Sequence, residues 1–305
     1  MTSNNIKNLR QLSPEERKEF LESFDVIFFD CDGVLWMVTG GPIPGVFEAL
    51  QRLKDQGKRV KFVSNNSVRS HAEYLERFAK YGMANVQEDD IVHPVKSMIW
   101  YLKRHKPNAV VLPLVGKAGR DLLVDEGLNV VNMDLDTTTC AAMGYFVLKH
   151  GPPKVDYVLA DVNPSAGYIH LVKALEYLKD PQCQLLLGAM DAVIPLAAGH
   201  TMPGYLDFYN FLIKHSNKQP IVLGKPSQLL ADILKERFGI SQPQRCLFVG
   251  DSLKMDINFG KSVGFQTLFV LSGANTKEDM LNTEECNQPD YYADSVGDFM
   301  ELFVN

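Results

Sequence analysis

Apolar residues arrive in short runs, and stretches of helical period separate them. FDVIFFD at 24–30 is nearly continuous, the pattern of a strand buried on both faces. RVKFVS (59–64), PIVLG (220–224), RCLFVG (245–250) and FQTLFVL (265–271) read the same way. The spacing predicts a helix over 13–23, with Ser13 as its cap and Pro14 at its first position. Over 45–56, Val46, Leu50 and Leu53 share one helical face, and Gly57 ends it. Helices are also predicted over 70–81, stopped by Gly82, over 93–105 ahead of Pro107, over 226–238, and near 256–262. In the 226–238 helix Leu229, Leu230, Ile233, Leu234 and Phe238 form the expected buried stripe. The final segment, 289–303, reads as a strand and then a helix.

Strand and helix in alternation argue for a parallel sheet with right-handed crossovers. The alternation is interrupted by a long stretch with strand-like runs of its own at 109–115, 129–133, 141–147, 157–162 and 184–189, and a helix at 167–179. The expected architecture is therefore α/β: a Rossmann-like parallel-sheet core over 24–106 and 219–305, preceded by an N-terminal extension, 1–23. A second α/β domain, 107–218, is inserted into the core, with Pro107 and Pro220 marking its edges.

Length fits this division, since 305 residues suggest about two domains. The formal charge is −6, with no basic block, so a nucleic-acid partner is not indicated. Five cysteines without a CxxC pair fit a reduced compartment better than a disulfide framework. No apolar run approaches the ~18 residues of a membrane span, and the polar first segment has no signal-peptide stretch, so a soluble cytoplasmic protein is expected.

Four of the apolar runs end in residues suited to a phosphate and its metal. Ligands of open parallel sheets bind outside the carboxyl ends of the strands. Convergence of those ends would bring together Asp30, Asp32, Ser64, Lys225, Asp251 and Asp256. Asp30 and Asp32 flank Cys31 and precede Gly33, whose lack of a side chain lets backbone approach an anion. One carboxylate can attack phosphorus while the other handles protons, and the DxD spacing supplies both. Ser64, Asn65 and Asn66 end the second run, where a hydroxyl and turn amides can bind phosphate oxygens. Lys225 is a point charge for the phosphoryl group. Asp251 suits Mg²⁺, a hard cation that takes carboxylate oxygens, with Asp256 behind it orienting waters or Lys225. Each signal alone has a plain reading: strand-end aspartates, turn residues, a surface lysine, a helix N-terminal acid. Their shared position is what makes them a set.

The string DCDGVLWMVTGGPIPGVFEALQRLKDQGKRVKFVSNNSVRS, with the GKP at 224–226, the GD at 250–251 and Asp256, resembles the haloacid dehalogenase superfamily of phosphatases. More narrowly it resembles the NagD-like branch, which holds 4-nitrophenylphosphatases, phosphoglycolate phosphatases and pyridoxal phosphatases. The resemblance implies a phosphomonoesterase with Asp30 as nucleophile, Asp32 as general acid/base, and Ser64 and Lys225 on the phosphoryl group. It implies Mg²⁺ held by Asp30, the Asp32 carbonyl and Asp251, a small phosphorylated metabolite as substrate, and an insert that acts as a closing cap and forms homodimers.

The sequence departs from that family where relatives often have Arg and Thr and this chain has Ser252 and Met255. In the insert it has 188–191 (GAMD) in place of an ATNPD-like string, and 159–161 (LAD) in place of GFD. Asp161, Asp191 and His200 are the insert's candidates for substrate specificity. Cys31 reads as a core residue and Trp36 as packing. A phosphotransferase or mutase, or a catalytically silent phosphate-binding relative, would keep the same residues. A phosphate-accepting receiver would lack the insert and the DxD pair.

Overall fold

A computed structural model describes residues 6–131, 154–196 and 200–304. The run 141–147 and Cys140 lie outside the described residues. Seven strands form the larger sheet in the order Lys7–Asn8, Tyr291–Ala293, Gln266–Val270, Cys246–Gly250, Val26–Phe29, Arg59–Val63 and Ile91–Val92. Every pairing in it is parallel. Its central strands Val26–Phe29 and Cys246–Gly250 are buried throughout because helices cover both faces. Ile27, Phe29, Leu247 and Val249 face a core shared with Trp36, Leu50 and Phe299. Phe28 and Phe248 alternate to the other side, against Leu230, Leu234 and Phe259. Full burial of one such phenylalanine contributes roughly 2 kcal/mol.

The chain leaves Val26–Phe29 toward Arg59–Val63 on one side, while Cys246–Gly250 lies on the other. That reversal opens a crevice at the carboxyl ends of these strands. The expected helices surround the sheet. Pro14–Glu22 and His71–Lys80 each begin with a reciprocal capping box, Ser13 with Glu16 and Ser70 with Glu73. Val46–Asp55 buries Val46, Leu50 and Leu53 as the spacing requires.

A second sheet has the order Ile221–Val222, Gln184–Leu187, Tyr157–Ala160, Val110–Leu114 and Asn129–Val130, again all parallel. This is the inserted α/β unit, with two changes at its edges. The run PIVLG, expected as a strand of the main sheet, pairs instead with Gln184–Leu187. The helix Pro94–His105 buries Val95, Met98, Ile99 and Leu102 against Val111, Leu123 and Leu159 of the insert. Strand pairing thus passes from the larger to the smaller sheet between Val92 and Val110 and returns between Val222 and Cys246. Burial of an apolar run reports that a strand is covered, not which sheet edge it joins, and that is how PIVLG misled.

Other differences are local. Lys7–Asn8 is an edge strand of the larger sheet, so the N-terminal segment is part of the core. Leu229 is 38% exposed, and the buried stripe of Gln228–Arg237 runs through Leu230, Ala231 and Leu234. A wide helical turn, Leu253–Ile257, precedes the short helix Asn258–Ser262. Helices Lys117–Asp125 and Leu206–Ser216, and the antiparallel pair Val193–Pro195 with Thr201–Pro203, were not foreseen.

Candidate active site

The carboxyl ends of both sheets open onto one cavity of about 290 Å³. Asp30, Ser64 and Asp251 come to it from the larger sheet, and Ala189, Asp191 and Lys225 from segments that follow strands of the smaller one. Lys225 Nζ donates to Asp30 Oδ1 at 2.6 Å and to Asp256 Oδ1 at 2.7 Å. The lysine is 2% exposed, and Asp30 and Asp256 are 8% and 1% exposed. Asp30, Asp251 and Asp256 each offer a carboxylate oxygen, all three lying within 4.8 Å of one another.

Two glycines make room for this cluster. Gly33 has φ +84°, and a Cβ there would lie 2.3 Å from Asp251 Oδ2. Neither that backbone conformation nor that approach suits another residue. A Cβ on Gly250 would lie 2.1 Å from that of Asp256. The amide of Ala274 donates to Asp251 Oδ2 at 2.6 Å, and Ser252 N–H donates to Asp256 Oδ2 at 3.0 Å.

The charge is unbalanced. Burial, reinforced by Asp256 and Asp32 against the pull of Lys225, pushes Asp30 up to about 7. Burial together with the charges of Asp30 and Asp256 raises Asp251 well above the usual carboxylate range. For Lys225 burial works downward, but Asp256 and Asp30 outweigh it and hold the ammonium above its ordinary value. Three buried carboxylates share one ammonium, so an all-ionised cluster carries surplus negative charge. An all-oxygen donor set with that surplus fits a hard divalent cation such as Mg²⁺.

Asp32 lines the same cavity, and its carboxylate is held by groups outside this cluster. Trp36 Nε1 donates to its Oδ1 at 2.8 Å and Asn66 Nδ2 to its Oδ2 at 2.7 Å, while Arg69 reaches Oδ1 at 3.4 Å. Trp36 is packing, as expected, wedged among Phe47, Tyr74 and Phe78, but a buried indole N–H also needs an acceptor, and Asp32 is that acceptor. The part of Trp36 and Arg69 at the site was missed by sequence reasoning, and Asn66, read as a turn residue for phosphate, holds Asp32 instead. The i, i+4 spacing of Asp32 and Trp36 was the available signal for the first.

The remaining expectations divide. Ser64 is buried and lines the cavity, its Oγ accepting from the Asn66 amide at 3.1 Å. Asn65, expected to meet phosphate, lines the cavity, and its side chain is committed to neighbours: Oδ1 accepts from Lys225 N–H at 2.9 Å, and Nδ2 donates to Asp191 Oδ2 at 2.9 Å and to the Lys225 carbonyl at 3.2 Å. The Gly33 amide donates to the Trp36 carbonyl at 2.7 Å, so this glycine provides clearance for Asp251 rather than a free amide for phosphate. Asp191 lines the cavity; Asp161 is buried just behind it, and His200 is exposed and not among the lining residues. Ser252 caps the turn that carries Asp256, accepting from Met255 N–H. Cys31 is fully buried in the core, where burial and the flanking carboxylates push its thiol well up.

A haloacid dehalogenase-like hydrolase family model matches residues 27–129, and a second model, HAD-hydrolase-like, matches residues 222–299. A 4-nitrophenylphosphatase of Schizosaccharomyces pombe is 34% identical over 95% of this chain and 97% of its own length. A human glycerol-3-phosphate phosphatase is 30% identical over 95% of this chain and 94% of its own. Among solved structures, the p-nitrophenyl phosphatase of Archaeoglobus fulgidus matches with a TM-score of 0.77 and 27% identity, covering 92% of this chain and 99% of that one. The chain belongs to the haloacid dehalogenase-like hydrolases. Its enzyme class within them is phosphatase.

Proposed function

We propose that this protein is a Mg²⁺-dependent phosphomonoesterase that hydrolyses a small phosphorylated metabolite through an aspartyl-phosphate on Asp30. The observation that carries this reading is the buried junction of Asp30, Asp256 and the Lys225 ammonium, with Asp251 beside it. A carboxylate fixed at a cavity floor next to a full positive charge is placed to meet a phosphoryl group rather than to be solvated.

In the first displacement an Asp30 carboxylate oxygen bonds to phosphorus as the ester P–O bond breaks, and the departing alkoxide takes a proton from the Asp32 carboxyl. In the second, a water oxygen bonds to phosphorus and gives its proton to the Asp32 carboxylate. The P–O bond to Asp30 breaks, so inorganic phosphate leaves and Asp30 is regenerated. Lys225 offsets the negative charge of the phosphoryl group throughout, and the Ser64 hydroxyl at the cavity floor would donate to one of its oxygens. Asp30, the Asp32 carbonyl and Asp251 would hold the Mg²⁺, with Asp256 behind them on Lys225 and the Ser252 amide; the ion would supply charge neutralisation at the phosphoryl oxygens.

The cavity wall beyond these groups is largely apolar: Val38, Val68, Val162, Ile194, Met202 and Tyr205. Such a wall suits the carbon skeleton of the alcohol, while Arg69, which also lines the cavity, is paired with Asp32. The test is release of inorganic phosphate from 4-nitrophenyl phosphate and a panel of phosphorylated metabolites, with and without Mg²⁺, and with added alcohols as competing acceptors. Metal-dependent phosphate release with an acid-stable, hydroxylamine-labile phosphoenzyme is expected. Stoichiometric transfer to the added alcohol would make it a phosphotransferase, and turnover after complete chelation would remove the metal.

A further inference from the structure

The segment Ser64–Asn65–Asn66–Ser67 alternates in direction. Ser64 and Asn66 face the chemistry: Ser64 lines the cavity floor and Asn66 holds Asp32. Asn65 and Ser67 face the insert. Asn65 Nδ2 donates to Asp191, and the Ser67 hydroxyl donates to Asp161 Oδ2. Ser67 is 2% and Asp161 1% exposed, so this contact is sealed from water. Asp161 is further held by the Ala189 amide, which donates to Oδ1 at 2.9 Å. A Cβ on Gly188 would sit 2.1 Å from that same oxygen, so the insert keeps a glycine where the carboxylate must pass. From the core side, Tyr74 donates its hydroxyl to the Asn66 carbonyl at 2.7 Å. Asn66 therefore sits on a short bridge fixed at both ends by groups of the insert and from below by the core.

We propose that Asp161 and Asp191 are positioning residues, which dock on Ser67 and Asn65 and thereby set Asn66 and, through it, the orientation of Asp32. The inference rests on the phosphatase reading above, in which Asp32 protonates the leaving group. It makes the insert part of the acid catalysis although neither aspartate need touch the reacting atoms. A side chain orienting a catalytic group is worth most where that group is most needed. Proton donation matters most for a basic leaving oxygen and little for 4-nitrophenolate, which departs without help.

The experiment compares kcat/KM, which reports formation of the aspartyl-phosphate, for phenyl phosphate and 4-nitrophenyl phosphate at saturating Mg²⁺. The two esters share a ring and differ in the basicity of the oxygen that leaves. Ser67→Ala is expected to lower kcat/KM about tenfold or more on phenyl phosphate and less than about twofold on the nitrophenyl ester, a fraction of a full acid-catalysis contribution. Ser67→Thr, which keeps the hydroxyl, restores the phenyl ester. Asp191→Ala cuts the second tie and should give the same split at smaller size; it decides the matter alone if Ser67→Ala loses its circular-dichroism signature. An equal fall on both esters, or no fall on either, overturns the proposal. Wild-type enzyme that turns over neither ester would defeat the phosphatase reading itself, and the coupling with it.

Discussion

At the end of the strand Val26–Phe29, Asp30 shares a buried ammonium with Asp256; at the end of Tyr157–Ala160, Asp161 is as deeply buried, but its partners among the described residues are a hydroxyl and backbone amides. Both are aspartates one residue past a parallel strand. The first stands in a pool of three carboxylates with one cation, where like charges compete and a phosphoryl group or a metal can enter. The second is held by neutral donors, the Ser67 hydroxyl from the other sheet and the Ala189 and Val162 amides from its own side. Position at a strand end made both visible as candidates. What separates them is the company each keeps, charged for Asp30 and neutral for Asp161.

The sharpest way to break this contrast is at its charged end. Asp30→Asn should cost at least about 10⁴-fold in kcat while binding of the ester persists, because the lost group is the one that bonds to phosphorus. Normal turnover in that variant, followed by phosphate release, would move the nucleophile elsewhere. Lys225→Met should come next. It leaves Asp30 and Asp256 buried without their counter-charge, at a cost of about 3–5 kcal/mol in urea unfolding, and it should abolish activity as well. If added Mg²⁺ recovers much of that stability, the carboxylate pool is a cation site in its own right.

The neutral end gives a smaller effect with a distinct pH signature. Burial, against the donations of Ser67 and Ala189, pushes Asp161 up to about 6 from its ordinary 3.8. The native state therefore binds this proton more tightly than the unfolded chain. The stabilisation is present below the unfolded value and is lost as pH rises through the folded one. Asp161→Asn cannot ionise, so its stability relative to wild type should climb between about pH 4 and pH 6.5, by roughly 2–3 kcal/mol in all. A gap that stays flat over that range would show that Asp161 titrates normally. Smallest is Trp36→Phe, which keeps the aromatic packing and removes one donor from Asp32; about a threefold to tenfold loss in kcat/KM is expected, with Tm lowered by only a few degrees.

Much of this was readable before any coordinates. Continuous apolar runs located the strands, and Ser13, Ser70, Gly57 and Gly82 marked helix ends with a local chemistry that does not depend on the rest of the fold. The charged cluster was readable as well, since Asp30, Lys225, Asp251 and Asp256 each sit just beyond an apolar run. What did not show were the facts fixed by pairing at long range. PIVLG looks like any buried strand, and only the open edge at Gln184–Leu187 assigns it to the insert. Asn65 and Asn66 look like turn residues, yet one clamps Lys225 and the other Asp32, partners 160 and 34 positions away. The strands flanking 197–199 are too short for alternation to announce them.

The membership of Ile221–Val222 has a practical side. Lys225 stands three residues beyond that strand, on the return passage from the smaller sheet, with its backbone gripped on both faces by the Asn65 amide. Anyone exchanging inserts between relatives to graft a new specificity must therefore place the downstream splice after residue 227, so that the transplanted module brings a lysine that the recipient's asparagine can seize. A splice made where the prolines invite one, near 220, would join a foreign sheet to the host's own edge strand and lose the register on which the ammonium depends.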